Sequence, residues 1–197
     1  MYLLFLWIYK IRCKAIISIA VVIVVNILLI AFAPEAVRIF APKSYYEAIY
    51  CIPPVAMGVL FLYSYDLFAK FVFERTIMIM LASIGGAILN IALNYIGIKM
   101  FWYIAAAYTT LICYIAFDIF HYVLMTKICK KYLDDVKPYN TKLLIGIAIL
   151  FILMGFVLMS TYRLPIIRYA IIVILGCIMI INRKVIKEKI NILIQLK

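Results

Sequence analysis

Residues 76–125 read TIMIMLASIGGAILNIALNYIGI, then KM, then FWYIAAAYTTLICYIAFDIFHYVLM. Each leg has enough apolar residues to cross a bilayer, for which a helix needs about 20. With only Lys99 and Met100 between them, the legs form an antiparallel hairpin of two spanning helices. Both legs hold residue types that hydrocarbon disfavours: Gly85, Gly86, Asn90 and Asn94 on the first, Asp118 and His121 on the second.

The rest of the chain extends this reading. It is 70% hydrophobic and 14% charged, with a mean hydropathy of +1.18, whereas soluble domains run at about 45–50% apolar. At this length a soluble core cannot hide so much apolar surface, so lipid is the solvent. The expected fold is all-α, an integral membrane helical bundle of about six transmembrane helices at 15–33, 47–68, 76–98, 101–125, 143–160 and 166–181. A cytoplasmic segment, 1–14, precedes the bundle. A basic tail, 183–197, follows as an amphipathic helix lying on the membrane, with Ile186, Ile190 and Leu193 on one face.

The formal charge of +12 sits in short segments between apolar runs, which points to topology and anionic lipid and not to nucleic acid. With six spans, fifteen of the twenty Lys and Arg residues fall on the side of both termini and five on the other. The positive-inside rule then makes both termini cytoplasmic and the protein a multi-pass resident of the cell inner (plasma) membrane.

No catalytic set emerges. The chain has one histidine, and it has neither a phosphate-cradling glycine loop nor a GxSxG elbow. Asp134 and Asp135 sit in a lysine-rich loop, where they balance charge. The five cysteines include no CxxC pair and no metal-ligand spacing. An enzyme is not expected, nor is a cofactor or a metal.

The candidate residues are therefore ones that line or bend helices. Gly86, Asn90 and Asn94 are four apart and share a helix face, opposite a small-residue strip at Ala105, Thr109 and Cys113. Two readings stand together: close packing of the hairpin through small residues and amides, and a polar cavity wall that solvates hydroxyl-rich head groups. Asp118 and His121, at i and i+3, form either an interfacial pair or a proton- or cation-linked gate at the cytoplasmic mouth. Asn26 is the one strongly polar residue inside the first span, expected to bond to a neighbouring helix. Pro34 is expected to close that span, with Pro34–Tyr46 as a short interfacial helix. Pro53 and Pro54 predict a kink or an unwound start in the second span.

One stretch carries a resemblance. It runs from RIFAPKSYYEAIY through the Glu74-Arg75-Thr76 loop and GAILNIALN (Gly86 to Asn94) to WYIAAAYTTLICY. It resembles the C-terminal region of polysaccharide (O-antigen/oligosaccharide, Wzx-type) flippases of the multidrug/oligosaccharidyl-lipid/polysaccharide exporter superfamily. The likeness covers residues 15–130, with the last hairpin and tail agreeing in pattern. It does not separate this branch from drug or lipid II exporters.

The resemblance implies half of a MATE-like two-lobe transporter that moves lipid-linked oligosaccharide by alternating access. Its partners would be the lipid bilayer, a lipid-linked glycan and a missing N-terminal lobe or partner subunit. The chain, with no internal repeat, is then expected to be a fragment or a short frame that is incomplete alone. A non-transporting membrane scaffold or assembly subunit is the alternative. One departure stands out: Lys99–Tyr103 replaces the glycine-rich turn of that family.

Overall fold

A computed structural model of the chain describes residues 2–61, 76–132, 139–181 and 183. Among them it is almost entirely helical, with no strand. The elements are α1 (Tyr2–Phe40), a 3₁₀ segment (Lys43–Cys51), α2 (Ile52–Phe61), α3 (Thr76–Phe101), α4 (Ala105–Tyr132), α5 (Thr141–Ser160), a 3₁₀ turn (Thr161–Arg163) and α6 (Pro165–Ile181). Four helical stretches, Ala15–Phe40, Met80–Phe101, Ala105–Lys131 and Thr141–Arg163, are long and apolar enough to cross a membrane. The protein is a membrane-embedded helical bundle.

The core lies where α1, α2, α4 and α5 meet, through Ile19, Ile30, Met57, Leu60, Leu111, Met125, Phe151 and Leu158. The described part of α2 is short and central. Its neighbours approach so closely that two glycines are required. A Cβ on Gly58 would collide with the edge of the Tyr114 ring of α4, and one on Gly155 of α5 would lie 2.5 Å from Met57 Sδ. Lipid supplies no hydrophobic drive for such contacts, so close steric fit does the holding. Two helices flank this core: α3 lies along α4, and α6 meets α1.

Several boundaries differ from the sequence reading, each for a physical reason. Pro34 does not end the first helix; α1 continues through it to Phe40. Proline has no N–H for the carbonyl of residue i−4, which here is Ile30. The Tyr162 hydroxyl donates to that carbonyl at 2.7 Å, so the freed acceptor is met from another element and the helix survives. The expected interfacial helix at 34–46 is consequently divided between the end of α1 and the 3₁₀ segment.

Pro53 and Pro54 stand in the first turn of α2, both fully buried, where a missing N–H costs no helical hydrogen bond. The chain ahead of them runs as the 3₁₀ segment. α5 starts two residues earlier than the expected span because Asn140 caps it, accepting from Leu143 N at 3.3 Å. Residues 62–75, 133–138 and the basic tail from 184 onward lie outside the described residues. So do the far end of the second span and the Asp66, Lys70 and Arg75 readings.

Candidate functional site

The hairpin of α3 and α4 carries a cleft with a polar edge. It has a volume of about 440 Å³ and is lined by Ser83, Gly86, Asn90, Thr110, Tyr114 and Phe117, with Cys113 beside Thr110. Gly86 keeps the wall thin, since a Cβ there would come 3.3 Å from the Phe117 ring.

The two asparagines of the shared face have different surroundings. Asn94 is held by its neighbours: Thr109 Oγ1 donates to Asn94 Oδ1, and Asn94 Nδ2 donates to Asn90 Oδ1 at 2.9 Å. Asn90 Nδ2 then makes a long 3.4 Å bond to Thr110 Oγ1, which itself donates to Ala106 O at 2.7 Å. A carboxamide offers two N–H groups and two acceptor lone pairs. Within this run of bonds each asparagine keeps one of each, and of the two it is Asn90 that lines the cleft. Asn94 lies toward the turn, where Gly97 packs against Thr109 and Ala105. Packing and cavity lining thus fall on successive turns of one helix.

The chemistry of the cleft is mixed. One edge is amide and hydroxyl, from Asn90, Thr110 and Ser83; the other is aromatic, from Tyr114 and Phe117. Such a surface can hydrogen-bond hydroxyl groups and cover an apolar face of the same molecule.

Asp118 and His121 stand elsewhere. His121 is 2% exposed, with its ring centroid 4.2 Å from that of Phe117 and 6.0 Å from that of Phe120. Asp118 lines a second cavity of about 320 Å³ that is otherwise apolar, among Ile19, Leu60, Phe61 and Leu144. A water-exposed interfacial pair does not describe a histidine buried to this degree. Asn26 is 6% exposed, and its Nδ2 donates to Val22 O at 2.9 Å. Among the described residues this amide bonds back to its own helix, where a bond to a neighbour was expected. Among the described residues no three His, Cys, Asp or Glu side chains come together as a metal site.

An ion pair among the described residues was not among the candidates. Arg168, near the start of α6, is 2% exposed and its Nη2 bonds Glu35 Oε1 on α1. Tyr169 donates to the same oxygen at 2.7 Å, and the guanidinium lies 5.8 Å and 5.2 Å from the Tyr162 and Tyr169 ring centroids. The signal was present in the sequence, as a lone arginine inside the apolar run PIIRYAIIVILG. Counting it as an outer flanking charge concealed it. No protein-family model, curated protein or solved structure matches the chain.

Proposed function

We propose that this chain is the C-terminal portion of a membrane flippase that translocates lipid-linked oligosaccharide for cell-surface polysaccharide synthesis. The observation that carries the reading is the α3–α4 cleft. Asn90 and Thr110 form its polar edge and Tyr114 and Phe117 its aromatic side, on the same hairpin whose sequence resembles polysaccharide flippases. Sugar rings present hydroxyl edges and apolar C–H faces, and this cleft offers a partner for each. In this reading the basic loops face the cytoplasm, the protein sits in the plasma membrane, and a second lobe supplies the opposite wall of the passage. Asp118, in its apolar cavity, is the candidate for a proton- or cation-linked step.

A binding titration in lipid nanodiscs tests this, with three ligands compared: a polyprenyl-linked oligosaccharide, the same polyprenyl phosphate without sugar, and a lipophilic cation. Saturable binding of the glycan-bearing lipid alone, weakened about tenfold or more by Asn90→Leu, is the expected result. Preference for the cation would place the chain among drug exporters. Binding of none would favour the scaffold alternative.

A further inference from the structure

Among the described side chains of α6, the helix buries only one, and that one is Arg168. Its neighbours Ile166, Ile167, Val173, Ile174, Ile178, Ile180 and Ile181 are all exposed, as lipid-facing residues are. A membrane helix packed by fit would bury small or apolar residues against its neighbour, because lipid gives no hydrophobic reason to associate. α6 does this only in part, through the half-buried Ile171 and Ile172 that pack against the core, and its one fully buried contact to α1 is a charge. Arg168 Nη2 and Tyr169 Oη both reach Glu35 Oε1, one turn beyond the Ile30 carbonyl that holds Tyr162.

Two features make this contact a discrete, reversible one. Guanidinium cannot shed its proton, so Arg168 has no neutral form in which to settle into lipid. The pair also has unused capacity: Arg168 Nε and Nη1 and Glu35 Oε2 find no hydrogen-bond partner among the described residues. A buried ion pair that is not fully met by hydrogen bonds does not repay its desolvation through stability alone. Glu35, with its side chain 29% exposed, is the member that outside groups can reach.

We propose that Glu35 and Arg168 form a charge latch that fixes the end of α6 to α1, and that opening it frees α6 while the four-helix core stays packed. The core does not depend on the latch, because its buried helical residues all belong to α1, α2, α4 and α5, and α6 adds only the half-buried Ile171 and Ile172 at its edge.

The test measures spin-label distances in nanodiscs, on the full chain with its native cysteines replaced. One label pair, at Arg38→Cys and Ile166→Cys, spans α1 and α6; a control pair, at Ile88→Cys and Phe120→Cys, spans α3 and α4. All four positions are exposed. With the latch intact both pairs give narrow distributions. Glu35→Gln and Arg168→Gln are each expected to lengthen or broaden the α1–α6 distance by about one helical turn, ~5 Å, and to leave the control pair unchanged. The charge-swapped Glu35→Arg/Arg168→Glu chain is expected to recover a narrow α1–α6 distance. An unchanged α1–α6 distance in both single variants would overturn the proposal. Equal broadening of both label pairs would also overturn it, because the pair would then support the whole fold and not a latch.

Discussion

Tyr162 and Pro34 show how a single residue decides whether a helix continues. The proline withholds an N–H from the Ile30 carbonyl, and the tyrosine hydroxyl replaces it at 2.7 Å. An unmet carbonyl in a buried apolar setting costs about 1–3 kcal/mol. Tyr162→Phe is therefore expected to lower unfolding stability in detergent by about 1–2 kcal/mol. In a Pro34→Ala background the restored backbone N–H meets the carbonyl, so the same substitution should cost a few tenths of a kcal/mol. Equal losses in the two backgrounds would show that the hydroxyl is not replacing the missing donor. This partnership was not legible in the sequence. Proline as a helix end is sound local chemistry, but the rescuing hydroxyl comes from 128 residues further along the chain. The same limit explains Asn26, whose amide reads equally as a cross-helix or an own-helix donor until its neighbours are known.

At the scale of elements, apolar run length located α3, α5 and α6 to within about three residues, whereas α4 starts at Ala105 and runs on to Tyr132, past the expected span of 101–125 and into its basic end. The short helix α2 was harder, since its start depends on a 3₁₀ segment that periodicity does not reveal. The α3–α4 turn shows what the missing glycine implies. Trp102 has φ of 67°, in the left-handed region, where side chains with a Cβ lose about 1 kcal/mol or more relative to glycine. Its carbonyl accepts from Ala105 N at 3.0 Å, and its own N–H closes α3 onto Ile98 O at 3.0 Å. Trp102→Gly and Trp102→Ala both remove the exposed ring, so their difference isolates the backbone. Trp102→Gly should melt at a higher temperature, by the equivalent of about 1 kcal/mol. Equal melting would mean that the turn relaxes out of the left-handed region. The ring itself is 78% exposed and suits an interfacial anchor, a reason for tryptophan to stand where glycine is easier.

Among the described residues the molecule is a core of four helices with two flanking ones, whose polar links to the core differ. α3 is joined by an amide–hydroxyl run to α4, and α6 by an ion pair to α1. The class of this architecture was legible from hydropathy alone. Of the site, the Gly86–Asn90–Asn94 face was legible from its spacing, but the division of labour between Asn90 and Asn94 needed the positions of Thr109 and Thr110. The Glu35–Arg168 pair was hidden because its members lie 133 residues apart and each reads alone as a flanking charge.

The central claim, that the α3–α4 cleft receives the sugar of a lipid-linked glycan, is tested most directly by the native thiol of Cys113. That thiol is buried in the wall of the cleft, so a small reagent reaches it only through the cleft, whereas Cys177 on α6 is exposed and serves as an internal reference. The measurement is the rate of modification of each cysteine by a small thiol reagent in nanodiscs, resolved by peptide mass spectrometry. Polyprenyl-linked oligosaccharide is expected to slow modification of Cys113 about tenfold and leave Cys177 unchanged, with the protection lost in Asn90→Leu. Unchanged modification of Cys113 at saturating glycan lipid would contradict the account.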